Sequence, residues 1–141
     1  MSLLNQKTIK DTVLFQGVGL HSGKLVNLKL KSSEPDTGIV FQRVDLKNNN
    51  LVHPNFANVS NTSLNTTVSN SYGVKVSTIE HLMGALFGLG IDNVLIEIDN
   101  EEVPIMDGSA KNFLEELRNT DIIAQSKKRN YLKVTKKIEL F

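Results

Sequence analysis

The stretch Val74-Lys75-Val76-Ser77-Thr78-Ile79-Glu80-His81-Leu82-Met83-Gly84-Ala85-Leu86-Phe87-Gly88-Leu89-Gly90, continued by Ile91-Asp92-Asn93-Val94-Leu95-Ile96-Glu97-Ile98, decides the fold class. Its apolar period changes from two to about 3.6 residues and back to two. Ile79, Leu82, Met83 and Leu86 fall at i, i+3, i+4 and i+7, with Phe87 extending the stripe, which predicts an amphipathic helix. Ser77 is the expected N-cap and Gly90 the expected stop. Val74-Lys75-Val76 predicts a strand leading into the helix, and Val94, Ile96 and Ile98 alternate with Leu95, Glu97 and Asp99 in a strand that leaves it.

Toward the N-terminus, Ile9 to Phe15 reads as a first strand, and Val26, Leu28 and Leu30 alternate with Asn27, Lys29 and Lys31 in a second. The turn Pro35-Asp36-Thr37-Gly38 leads into a third, Ile39 to Val44. Asn48-Asn49-Asn50 marks a loop, and Leu51 to Val68, interrupted by Pro54, predicts short strands with an exposed loop around Ser60 to Asn65. Toward the C-terminus, Val103 to Met106 predicts an edge strand because it includes Pro104, and Asp107-Gly108 predicts a turn. Ser109 then caps a second helix with apolar residues at Ala110, Phe113, Leu114 and Leu117. The expected class is α+β: a two-layer sandwich of a mixed, mostly antiparallel sheet with two helices packed on one face.

Tyr131 to Phe141 alternates like a strand whose partner is absent from the sequence. This predicts one domain over 1–125, with 126–141 as linker and first strand of a second unit; on the apolar pattern alone the linker spans 119–130. An edge strand of the same domain is the alternative.

A chain of 141 residues, 40% hydrophobic and 22% charged, suits one globular domain, and a net charge of +1 gives no nucleic-acid footprint. With no cysteine, disulfides and thiolate zinc sites are excluded, so a bound metal needs His, Asp or Glu; this accords with a cytoplasmic protein. No stretch approaches ~18 uninterrupted apolar residues, so no transmembrane segment is expected.

Ser77-Thr78-Ile79-Glu80 has the spacing of a capping box, which gives Glu80 a structural reading beside any chemical one. At about 100° per residue, His81 projects away from the apolar stripe and shares its face with Gly84, Ala85 and Gly88. Such a smooth face lets another backbone approach closely. His81 is there either a histidine hydrogen-bonded at a domain contact or a metal ligand. Gly17-Val18-Gly19-Leu20-His21-Ser22-Gly23 allows sharp turns and close approach of backbone to a ligand, but its spacing fits neither the dinucleotide fingerprint nor a P-loop. A glycine-rich hairpin with an exposed His21 is the simpler reading. His53 reads as structural or exposed, and Asp107 and Asp92-Asn93 as turn residues. The three histidines, at 21, 53 and 81, lack any short ligand spacing.

Taken in register, Gly17 to Gly23, Ser77-Thr78-Ile79-Glu80-His81-Leu82, Gly88-Leu89-Gly90-Ile91-Asp92-Asn93 and Pro104-Ile105-Met106-Asp107-Gly108-Ser109-Ala110 closely resemble the UDP-3-O-acyl-N-acetylglucosamine deacetylases. Thr37 to Leu46 resembles them too. The resemblance implies an amide hydrolase of lipid A synthesis with one Zn2+ ion and two similar α+β domains enclosing the site. It implies Glu80 as general base, His81 as one zinc ligand, and His21, Ser63 and Leu64 at the substrate. Asp107 would lie near the site, supporting it without reacting. Ser63, Asn65 and Ser69 to Gly73 depart from the family's pattern. The other zinc ligands and the general acid would come from a second domain, so this chain alone is expected to bind zinc poorly and to be inactive. The alternatives are a non-catalytic interaction module that keeps the fold, and a metalloprotein using His21, His53 and His81.

Overall fold

The computed structural model describes residues 4–140. Five strands form the main sheet in the order β2 (Val13–Val18), β3 (Leu25–Ser32), β9 (Val94–Ile98), β4 (Ile39–Arg43) and β5 (Leu51–Val52). Every neighbouring pair is antiparallel except β4 with β9, which run parallel. The period-two pattern sets the register: Leu28 faces Ile98 and Leu30 faces Ile96, and all four are buried. Against them lie Leu82, Ala85 and Leu86 of helix α1 (Glu80–Leu89) and Phe113 and Leu117 of α2 (Lys111–Asn119). Phe15 meets Phe113 edge-on, with ring centroids 5.0 Å apart. The expected α+β sandwich is therefore what the chain forms.

Two smaller sheets flank this core. β6 (Val59–Asn61), β7 (Thr67–Ser69) and β8 (Lys75–Val76) make an antiparallel meander leading into α1. β1 (Asn5–Ile9) pairs with β10 (Ile122–Lys128). The single strand expected over Ile9 to Phe15 is thus two, broken at Lys10 to Thr12, because β1 turns away from the main sheet to find β10.

Several local expectations change. Ser77 does not cap α1: its hydroxyl donates to the Glu101 carbonyl at 3.1 Å, and it bridges to Glu102 in parallel fashion. The helix begins at Glu80 with no side-chain cap. Gly90 does end it, in the left-handed conformation (φ 68°). Phe87 is 88% exposed and Ala85 fully buried, so the uncovered face of α1 carries Gly84, Phe87 and Gly88 beside half-buried His81. Val103 to Met106 forms no strand. Pro104 has no N–H to donate, and the segment is held by single bonds, Val103 N–H to Ser77 and Ile105 N–H to Val18. α2 starts two residues after Ser109, whose hydroxyl oxygen accepts from the Lys111 N–H at 3.1 Å.

The linker expected over 119–130 is instead occupied by β10, which runs through the boundary expected at residue 125. Gln125 and Arg129 are anchored by Asp92 and Asn93, read from the sequence as turn residues. Asn93 is buried and donates to Gln6 at 2.8 Å and Gln125 at 2.7 Å, while its side-chain oxygen accepts from the Gly38 N–H at 2.8 Å. Asp92 accepts from the Lys7 N–H and from the Arg129 guanidinium, which also donates to the Gly90 carbonyl. Residues 131–140 contain no strand, and Phe141 lies outside the described residues. Asn93→Ala removes three hydrogen bonds at once and is expected to lower unfolding free energy by about 3 kcal/mol in urea titrations; a loss under about 0.5 kcal/mol would mean that water replaces the amide.

Candidate active-site cleft

Glu102, which the sequence reading passed over, organises the site. It is 1% exposed, yet its carboxylate accepts from the His21 N–H (3.0 Å), the Ser22 N–H (2.8 Å), the Thr78 hydroxyl (2.9 Å) and His21 Nδ1 (2.8 Å). Burial, the largest influence, pushes the carboxyl up. Donation from the His21 and Ser22 backbone, and from both side chains, outweighs it and holds the carboxyl down at about 2 from an ordinary 4.5. The one sequence signal was an acidic residue directly before the apolar Val103-Pro104-Ile105 run.

The glycine loop exists for this carboxylate. A Cβ on Gly19 would stand 2.5 Å from Glu102 Oε2, and one on Gly17 2.9 Å from the Pro104 side chain. The close backbone approach expected of these glycines is thus to the chain's own 102–106 segment. Thr78 carries the same constraint on the helix side. It is buried and β-branched at φ 55°, a conformation costing about 1–3 kcal/mol. Its hydroxyl compensates by donating to Glu102 and accepting from Asn65 Nδ2 at 3.2 Å.

His21, Ser63 and Leu64 line one open cleft of about 320 Å³ together with Asn65, Ser77 and Lys75. Ser22, Asn61 and Thr67, with Ser63, Asn65 and Ser77, give its walls hydroxyl and amide groups. Leu64 is its exposed apolar side chain. Asn65 also approaches His21 Nδ1, at 3.3 Å, and accepts from the Thr67 hydroxyl at 2.9 Å. Glu80 does not close a capping box; its Oε2 accepts from the Thr66 N–H at 3.1 Å, which ties it to the cleft's own loop. His81 makes no hydrogen bond to any described residue, so both ring nitrogens stay open. Asp107 lies outside the cleft wall, exposed. Its oxygen accepts from the Ser109 hydroxyl and N–H, which hold its carboxyl below the usual range, and through Ser109 it orders the start of α2. His53 is exposed, on the far loop. Among the described residues, no three His, Cys, Asp or Glu side chains are grouped to hold a metal ion, which removes the three-histidine arrangement.

A carboxyl held low in the folded state stabilises the fold above its unfolded value, and that contribution fades as pH falls through the folded one. For Glu102 the window runs from pH 4.5 down to about 2, with about 3 kcal/mol at stake. Glu102→Gln is expected to be less stable than the parent at pH 7, and the gap in urea unfolding should close as pH approaches 2. A gap constant with pH would show that the ionised form is not what the site stabilises.

The family model for UDP-3-O-acyl N-acetylglycosamine deacetylase matches residues 6–141. The chain is 47% identical over 135 residues to the UDP-3-O-acyl-N-acetylglucosamine deacetylase of Geotalea uraniireducens (strain Rf4), covering 96% of this chain and 44% of that protein. The chain thus spans less than half the length of this relative. No helix among the described residues is long and apolar enough to cross a membrane. With almost the whole chain matched, the chain belongs to the UDP-3-O-acyl N-acetylglycosamine deacetylase family.

Proposed function

We propose that this chain is the N-terminal part of a cytoplasmic, zinc-dependent deacetylase that removes the acetyl group from UDP-3-O-acyl-N-acetylglucosamine in lipid A synthesis. The observation that carries the reading is the start of α1. His81, without a hydrogen bond to any described residue, stands beside Glu80, whose Oε2 is held by the Thr66 N–H. The adjoining helix face is uncovered: nothing lies within 4 Å of where a Cβ would sit on Gly84 or Gly88. A second domain of the same enzyme docks there and brings the remaining metal ligands, since a catalytic zinc takes about three protein ligands and His81 is one. When bound, zinc supplies Lewis acidity at the amide carbonyl.

The chain's own part in the reaction is proton handling and binding. With Oε2 fixed by Thr66, the other Glu80 oxygen has no protein donor among the described residues and takes the proton of the attacking water. His21, Ser63 and Leu64 hold the substrate along the cleft. Asp107 contributes at one remove, by fixing Ser109 at the head of α2.

The test combines this chain with a homologous second domain and measures zinc content and deacetylation. The isolated chain should bind zinc poorly and be inactive, and the combined protein should be active. Glu80→Ala should then lower kcat by about 10²–10⁴-fold, and His81→Ala should lose stoichiometric zinc. Stoichiometric zinc in the isolated monomer, or full activity of Glu80→Ala, would overturn the assignment.

A further inference from the structure

Four donors converge on Glu102, and one of them is the imidazole of His21. We infer that Glu102 is a positioning residue for the cleft: it locks His21 in the Nδ1–H tautomer, presents a bare Nε2 as the ring's remaining polar atom, and couples that orientation through Thr78 to the start of α1.

The argument is one of donor counting. An ionised carboxylate only accepts, so the Nδ1 atom 2.8 Å from Glu102 Oε1 must carry the hydrogen. The hydrogen bond made by one ring nitrogen fixes the state of the other, which leaves Nε2 without a hydrogen in the neutral ring. Asn65 does not compete. Its Nδ2 has two hydrogens and bonds Thr78 Oγ1 at 3.2 Å with one of them, but its 3.3 Å approach to Nδ1 is half an ångström longer than the charge-assisted 2.8 Å contact with Glu102, which decides where the ring hydrogen sits. The His21 backbone N–H reaches both carboxylate oxygens, at 3.0 and 3.2 Å, so the main chain as well as the ring is fixed to the same group. The His21 ring is about one-third exposed and lines the cleft, whereas the Glu102 side chain is 2% exposed. Glu102, at the floor of the same cleft, is nearly covered and therefore acts chiefly through His21.

Thr78 Oγ1 donates to the oxygen that also takes His21 Nδ1, and Glu80 follows two residues later. A shift of the carboxylate moves the histidine and the head of the helix together. A Cβ at position 19 would run into Ser22 Oγ and stand 2.5 Å from the other carboxylate oxygen, so Gly19 leaves the carboxylate room to sit.

The inference as applied to substrate rests on the reading of the cleft proposed above, but its test is independent of catalysis. Long-range proton–nitrogen NMR on this chain, with the His21 ring neutral, reads the tautomer directly. The expected result is a hydrogen on Nδ1 and none on Nε2, giving way to a tautomer mixture in Glu102→Gln, whose amide both donates and accepts. Finding Nε2–H in the parent chain, which needs no variant to fold, would overturn the inference, as would an unchanged tautomer in a folded Glu102→Gln. In the reconstituted deacetylase, Glu102→Gln should lower kcat/KM about tenfold, and combining it with His21→Ala should add nothing to His21→Ala alone. Additive losses there would overturn the positioning role. Absence of any deacetylation with the tautomer as expected would count against the proposed function and leave the Glu102–His21 pairing standing.

Discussion

A carboxylate taken out of water must find donors to replace its hydration, and Glu102 finds four without leaving the backbone segments nearest to it. Those donors come from two parts of the chain remote in sequence, the loop between β2 and β3 and the residue before the first turn of α1. Neither segment is regular. The loop is held open by glycines, and Thr78 sits in a backbone conformation that a β-branched residue avoids. Only an anchor that compensates for both irregularities makes them compatible with a single structure, and one buried charge meets that need.

How much of this was legible beforehand differs by element. β3, β9 and the apolar face of α1 follow from periodicity, because each is one side of a single packed layer, and Val26, Leu28, Leu30, Val94, Ile96 and Ile98 are all buried as the alternation requires. Phe87 shows where periodicity overreaches: an apolar residue extends the stripe in sequence yet stands on the open side of the helix. Glu80 and His81 were visible as chemistry through resemblance. Their local role was not, because the spacing Ser77 to Glu80 imitates a cap while Ser77 is occupied with the 101–103 segment. Apart from the apolar Val103-Pro104-Ile105 run that follows it, nothing within a few residues of Glu102 marks it as buried. Its partners are about eighty and twenty-four positions away, and a pairing at that distance leaves no periodic trace.

The same limit explains Asp92 and Asn93. Polar residues after a helix-ending glycine are read as turn chemistry, yet here they join β1, the residue before β4, β10 and Arg129 just beyond it in one largely half-buried set of hydrogen bonds. The result is a division of labour between two polar junctions, one supporting the cleft and one closing the sandwich. Both lie at the ends of strands, where backbone groups no longer find partners in the sheet and side chains must supply them.

The ribbon of β1 and β10 has a mechanical consequence. Asn5 lies opposite Lys128 at one end and Ile9 opposite Ile122 at the other, and the Arg129 N–H bonds to the Leu4 carbonyl at 2.8 Å. A pull between residues 4 and 129 therefore loads the rungs of this ladder one after another, as a zipper. Tension entering through residues at that end is spent peeling the ribbon back toward Ile9 before it reaches the glycine loop. The ribbon acts as a mechanical fuse between the pulled ends and the cleft.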